Sequence, residues 1–397
     1  MSNIVFVGTV YGEGLTEELA AMGNSIDYPS HNFQLAMLEG FSSICPKMKI
    51  ISALKCSTWT KTRKLYYKDR MIKVNSVYND AIMVGALAIP VVNLFFRYKK
   101  IKKQLKSVLS KTEENIVIIY SSHSPFLQSV YDLSCDFKIK TCLIVPDLPE
   151  FMSSSKNPIF RFLKSLDAKL IENSNKAVDC YAFLSPLMRE RYPYNGKPWV
   201  QVEGVYDNTV QYPDAPKSKK KSILYTGKID ARYGIVDLMD AFALIDDPCY
   251  ELWIRGDGSD LDKVKKRAET DPRIKIFPKM SKEDLVKLQK SATLLVNPLK
   301  PKELFTKYFF PSKTLEYMGS GTPTLMYKLP CLADEYDEYL YYFTDDSVKY
   351  MCNRIVDICE KSTKELYELG QKAREFVNKE KNGIKQAKKI LDLLSSI

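Results

Sequence analysis

Ten short apolar runs rich in β-branched residues recur along the chain, and most are separated by longer stretches with helical spacing. The runs are Ile4–Val7, Met48–Ser52, Ile116–Tyr120, Cys142–Val145, Tyr181–Leu184, Ile223–Tyr225, Leu252–Ile254, Ile274–Phe277, Leu294–Val296 and Thr324–Met326. A continuous apolar run is a strand buried on both faces, and alternation with helices supplies the cover for a parallel sheet. The expected fold class is therefore α/β. At 397 residues the chain is too long for one ordinary core. The polar, Pro/Lys-rich segment Pro213–Lys221 has five runs on each side and reads as the junction of two doubly wound domains. Sheets of this kind bind ligands outside the carboxyl ends of their strands, so chemistry is sought there.

Charge narrows the partners without choosing among them. The 59 basic and 48 acidic residues leave a formal charge of +11, which suits an anionic partner such as a phosphorylated ligand, an acidic membrane surface or nucleic acid. Nucleic acid is disfavoured, because the aromatic residues are not interleaved with Lys and Arg as a base-stacking strand requires. Nine cysteines, odd in number and without a C-x-x-C pair, indicate neither a disulfide framework nor a zinc site, and a reducing cytoplasm is expected. The first residues read as a strand and not as a signal peptide. The longest apolar run, Ala81–Phe96, is broken by Gly85, Pro90 and Asn93 and is shorter than the roughly 20 residues a spanning helix needs.

Three stretches of the second half carry the chemistry. In Ile223–Phe242 a strand enters a loop holding Gly227, Lys228, Arg232 and Gly234, followed by an amphipathic helix. Unpaired backbone N–H groups at such a turn, with two cations beside them, suit a diphosphate and its growing charge as it leaves; a solvated loop is the alternative. In Glu251–Leu261 a strand ends in Gly256-Asp-Gly258, which is either a nucleotide contact or a plain turn. In Asn297–Leu325 a Pro-interrupted loop leads to a helix starting near Pro311-Ser312-Lys313, with Glu316 on the same face as Lys313. A carboxylate one turn into that helix can accept both hydroxyls of a ribose, while Ser312 and the helix N-terminus face a diphosphate.

Taken together, the loop, the Gly-x-Gly, the Lys282–Asn297 helix-strand unit and the block Phe310-Pro-Ser-Lys-Thr-Leu-Glu-Tyr-Met-Gly-Ser-Gly-Thr-Pro323 stand in the order found in the group 1 glycosyltransferases, which this sequence resembles over about Ile223–Tyr327. These are the family-four retaining enzymes of GT-B fold. The resemblance implies two Rossmann-like domains facing a cleft, an N-terminal acceptor domain (1–205) and a C-terminal nucleotide-sugar donor domain (206–383), with a final helix near 384–397 packing back on the first. It assigns Lys228 and Arg232 to the diphosphate and Glu316 to the ribose. The sequence departs from the family's Glu-x7-Glu signature, since the first glutamate falls on Tyr308; Glu303 and Tyr308 are the candidate replacements.

The first half matches more loosely. His123 lies in Ser121-Ser-His-Ser-Pro125 just past a strand, where similar enzymes place a histidine beside the donor sugar; a structural histidine is the alternative. On the acceptor side stand Gly12 and Gly14 after the first strand, His31 before a helix, and Asp147 and Glu150 in a Pro-rich loop, each with a turn, cap or solvated reading beside it. Between Pro90 and Leu109 the apolar residues Leu94, Tyr98, Ile101, Leu105 and Val108 recur at helical steps, and six cations from Arg97 to Lys106 fill the other positions. That pattern predicts either a helix lying on an anionic membrane or an ordinary surface helix. The resemblance thus implies a hexosyltransferase of cell-surface polysaccharide biosynthesis, needing neither metal nor cofactor, with a glycan or lipid-linked saccharide as acceptor. It would work in the cytoplasm or on the inner face of the membrane. A nucleotide-sugar epimerase of the same fold and a non-catalytic basic binding protein are the alternatives.

Overall fold

The computed structural model describes residues 2–148, 158–209 and 212–397. The chain divides into two units, Met1–Val205 with Gly383–Ile397, and Tyr206–Asn382.

The first unit is built on a sheet of β1 (Asn3–Gly8), β2 (Lys49–Ala53), β3 (Arg70–Ile72), β4 (Ala81–Val84), β5 (Asn115–Tyr120), β6 (Ile139–Val145), β7 (Cys180–Phe183) and β8 (Trp199–Gln201). Their order is β3-β4-β2-β1-β5-β6-β7-β8, and every pairing is parallel except β3 with β4. The helices are α1 (Leu15–Ala21), α2 (Tyr28–Ile44), α3 (Pro90–Val108), α4 (Ser124–Leu133), α5 (Pro158–Ser174) and the C-terminal helix, which packs on α2 and over β6, β7 and β8. One side of the sheet closes on Phe6, Ile50, Ile118 and Ile144 together with Phe41 of α2 and Ile390 and Leu394 of the C-terminal helix. Chain order reverses between β1 and β5, leaving a crevice at the carboxyl ends of those strands.

The second unit carries β9 (Lys221–Lys228), β10 (Tyr250–Asp257), β11 (Ile274–Phe277), β12 (Leu294–Asn297), β13 (Thr324–Tyr327) and β14 (Tyr341–Phe343) in the order β11-β10-β9-β12-β13-β14, all parallel. This is the Rossmann order, with its reversal between β9 and β12. The covering helices are α6 (Ile235–Ala243), α7 (Leu261–Thr270), α8 (Lys282–Ser291), α9 (Lys313–Ser320), α10 (Val348–Cys359) and α11 (Thr363–Glu380), with α12 (Gly383–Ser396) returning to the first unit.

All ten runs read from the sequence are strands. Among the described residues the strands not read from the sequence are β3, β4, β8 and β14; three have three residues and lie at sheet edges, while β4 sits inside the long apolar run before Pro90. The Pro213–Lys221 run is no junction. It lies in the second unit, where Lys217 Nζ donates to the Ala292 carbonyl (2.8 Å) and to Thr322 Oγ1 (3.1 Å), and burial pulls its pKa down to about 8. The lipid-facing stripe expected along α3 is likewise corrected. Ile101 and Leu105 are fully buried in the unit's own interior, Arg97 is buried with them, and Leu94, Tyr98 and Val108 are half-buried, so the stripe packs inward.

Candidate functional site

In the second unit the site forms at the reversal point. Gly227 and Lys228 end β9, and the chain turns through Asp230 and a 3-10 turn (Ala231–Tyr233) into α6. Lys228 is exposed and stands over the Tyr233 ring. Arg232 forms a two-pronged pair with its near neighbour Asp230, Nε to Oδ1 at 3.0 Å and Nη2 to Oδ2 at 2.7 Å. The Arg232 hydrogen bonds hold the Asp230 carboxyl well below the usual carboxylate range. The guanidinium is largely exposed while the Asp230 carboxylate is buried, so Arg232 is held in place at the lip of the loop with one side open to solvent.

The chain after β12 folds back over this loop. Pro298 lies directly against Gly234, and the Phe305 ring contacts Tyr233 at 5.8 Å. Helix α9 then begins, and two contacts pin it to β9. Tyr317 Oη accepts from the Thr226 amide (2.8 Å) and donates to the Thr226 carbonyl (3.1 Å), while Lys313 Nζ reaches Thr226 Oγ1 at 3.5 Å. Ser312 is the N-cap residue and its side chain makes no capping hydrogen bond. Ser312 and Glu316 are exposed at the first turn, Pro311 is buried, and burial lowers the Lys313 pKa, with Glu316 opposing and Arg255 adding to the shift. Thus the structure brings Gly227, Lys228, Arg232, Ser312, Lys313 and Glu316 to one end of one sheet.

Other site residues expected from the sequence have packing around them that accounts for their residue type. A Cβ on Gly256 would lie 1.9 Å from the Gly227 carbonyl oxygen, and one on Gly258 2.2 Å from that of Ile229. These glycines let β9 and β10 approach; their reading as nucleotide contacts is not needed to explain them. Tyr308 is buried, so of the two candidates for the missing first glutamate it is Glu303, half-buried and near enough to Arg232 to help hold its charge, that lies beside the loop. Arg255 was missed. Its signal was strand register: it pairs with Thr226 across β9 and β10, next to Lys313.

In the first unit the corresponding crevice is lined differently. Between β5 and α4 the chain turns through Ser121, at φ 74, a left-handed conformation that costs a residue with a Cβ about 1–2 kcal/mol and that collects at functional sites. This places His123 at the N-cap of α4, its ring edge-on to Phe126. Arg97 of α3 donates from Nη1 to His123 Nε2 (2.6 Å) and from Nη2 to the Leu54 carbonyl (2.7 Å). A guanidinium cannot accept, so Nε2 carries the lone pair and the His123 proton is on Nδ1. Burial, then Arg97, then Lys55 hold the His123 pKa well below its ordinary value. Arg97 is itself buried, and its Nε has no partner among the described residues.

The remaining acceptor-side expectations scatter. His31 Nδ1 accepts from the Tyr11 amide at 3.3 Å in a buried position, a tie between the β1 end and α2. Gly12 is packed against Ile72, whereas Gly14, at φ 70, opens α1 onto free space. Asp147 is exposed just past β6, and Glu150 lies outside the described residues. Asp27 caps α2 and pairs with Lys55 at 2.6 Å; neither was singled out from the sequence.

Comparison with known proteins agrees with this layout. Residues 220–361, which lie in the second unit, match the family described as Glycosyl transferases group 1. No curated protein sequence matches the chain. Among solved structures, sucrose-phosphate synthase from Thermosynechococcus elongatus superposes with a TM-score of 0.67 at 15% identity, covering 99% of this chain and 98% of that one. HepE from Anabaena in complex with UDP gives 0.63 at 13% identity, covering both chains fully. A trehalose-6-phosphate protein from E. coli bound with UDP-2-fluoro glucose gives 0.63 at 8% identity over 100% and 99%. At these identities the likeness establishes the fold, which is GT-B.

Proposed function

We propose that this chain is a retaining glycosyltransferase that moves a hexose-type sugar from a nucleotide-sugar donor, held by the second unit, onto a hydroxyl of a glycan or lipid-linked saccharide in cell-surface polysaccharide biosynthesis. The observation that carries the reading is the gathering of Lys228, Arg232, the α9 N-terminus and Glu316 at the reversal point of a Rossmann sheet. Cations and helix N–H groups suit a diphosphate, and an exposed carboxylate one turn further suits a ribose.

The chemistry follows from where charge grows. As the bond between the anomeric carbon and the diphosphate oxygen lengthens, negative charge accumulates on the leaving group, and Lys228 and Arg232 meet it there without a metal. The acceptor hydroxyl attacks from the face the diphosphate is leaving, and its proton passes to a diphosphate oxygen, so the anomeric configuration is kept. His123 takes the sugar-contacting role that the resemblance implies, offering Nδ1–H as a neutral donor. The UDP found in two of the similar structures makes uridine the base to try first.

A thermal-shift series with UDP, GDP and ADP tests the donor site, because a ligand bound only to the folded state raises the melting temperature. Anomeric NMR of the product then tests the reaction. An α-linked product from an α-linked UDP-sugar is expected; an inverted linkage, or an epimerised free sugar with no transfer, would overturn the proposal.

A further inference from the structure

We propose that the loop 59–66 and the first turns of α3 together form a docking face for an anionic lipid bilayer. The inference stands apart from the transferase reading, since it uses none of the residues placed at either crevice.

The face is one continuous surface. The Trp59 amide donates to the Ala88 carbonyl and the Ala88 amide to the Leu65 carbonyl, both at 2.8 Å; Tyr66 bridges to Leu87, and its ring meets Phe96 edge-on at 6.0 Å. These bonds clamp the loop against the entry to α3, where Ile89, Val91, Val92 and Phe95 are exposed. Trp59 and Phe95 are each 60% exposed, Val91 54% and Val92 49%. Single exposed apolar residues are ordinary, but a contiguous group marks an interaction site.

Charge selects the occupant. The sequence has no acidic residue from Leu54 to Lys68 or from Ala81 to Thr112. Lys61, Arg63, Lys64, Lys99 and Lys103 are exposed, and among the described residues none of them is paired with a carboxylate. In contrast, Lys100 and Lys102 further along α3 are tied to Asp69 and Asp132. An apolar centre with a tryptophan, free of acids and rimmed by cations that have no carboxylate partner, two of which lie over the Tyr67 and Phe95 rings, matches a bilayer surface whose headgroups are negative and whose interior is apolar. The helix does not lie flat along its length, because Ile101 and Leu105 are already buried in the fold; only its first turns are available.

The test is sedimentation of the full chain with vesicles of equal phosphatidylglycerol and phosphatidylcholine, against pure phosphatidylcholine. Strong binding to the first, weak binding to the second and release by high salt are expected. Lipids brominated in the acyl chain should quench Trp59 emission, and the loss of that quenching in Trp59→Phe identifies the inserted residue. Lys61→Gln, Arg63→Gln, Lys64→Gln and Lys99→Gln should each lower the partition coefficient about fivefold. Phe95→Ser should lower it without changing the circular dichroism spectrum. Equal binding to both vesicle types, absence of Trp59 quenching, or a Phe95→Ser variant that binds as the parent does would each overturn the proposal. So would a concentration-dependent dimer abolished by Phe95→Ser in a chain that ignores vesicles, because the face would then be a self-interface.

Discussion

The two crevices use their cations in opposite ways. In the second unit Lys228 and Arg232 are exposed at the lip, and Arg232 is paired with a carboxylate two residues away. In the first unit Arg97 is buried, has no carboxylate partner among its hydrogen bonds, and spends its two outer nitrogens on His123 and a backbone carbonyl. An exposed cation stays hydrated until a ligand arrives and so serves binding. A buried one has already lost its water, and its charge acts on its neighbours. The second unit thus keeps its cations open to solvent, and the first commits its cation to one imidazole.

The largest effect that would break this contrast is catalytic. Arg232→Ala and Lys228→Ala should each lower kcat by about 10²–10³, as removal of a group that meets developing charge does, while the melting temperature stays near that of the parent. Rates near the parent's in both variants would take the diphosphate away from this loop. Glu316→Ala should weaken UDP binding about a hundredfold, for two lost hydrogen bonds to a charged group. Titration calorimetry on the folded variant decides it, and unchanged affinity would remove the ribose assignment.

The glycines sharpen the contrast between binding and packing. Gly256→Ala forces a methyl group against the Gly227 carbonyl and should destabilise the second unit by about 2 kcal/mol or more, seen as a lower denaturation midpoint. A variant of normal stability that had lost only nucleotide affinity would restore Gly256 as a contact.

Arg97→Met tests the buried cation. The variant removes an incompletely satisfied buried charge, so its stability should stay within about 1.5 kcal/mol of the parent, yet His123 should titrate closer to its ordinary value. Nitrogen NMR of the imidazole reads this directly, and the acid limb of the rate profile should move up in pH. An imidazole that keeps its low pKa and its Nδ1–H form in Arg97→Met would show that burial alone sets both.

The smallest effect is the pH dependence of stability. Burial comes first in lowering the pKa of both His31 and His123. Below about pH 6.5 the unfolded chain takes up protons that the folded chain refuses, so stability present at neutral pH is lost as pH falls. Melting curves between pH 7.5 and 5 should show the decline, and His31→Gln should flatten it. A parent with equal melting temperatures across that range contradicts the assignment.

The sequence by itself determined the fold class and singled out the residues that the second unit gathers at one end of its sheet. Buried strands have to be continuous apolar runs, and the loop after β9 and the start of α9 each carry their cations, glycines or carboxylate within one short stretch, so each stretch could be read directly although Lys228 and Glu316 stand 88 positions apart. Tertiary structure alone decided the rest. Arg97 reads as one more cation on a basic helix until α3 is rotated to bury Ile101 and Leu105, which carries Arg97 inward to His123, 26 positions away. The same rotation withdraws the apolar stripe from any membrane and leaves Val91, Val92 and Phe95 outside beside Trp59. Helical periodicity states which residues share a face, but which face meets the core depends on the sheet beneath it, and that is assembled from strands far apart in sequence.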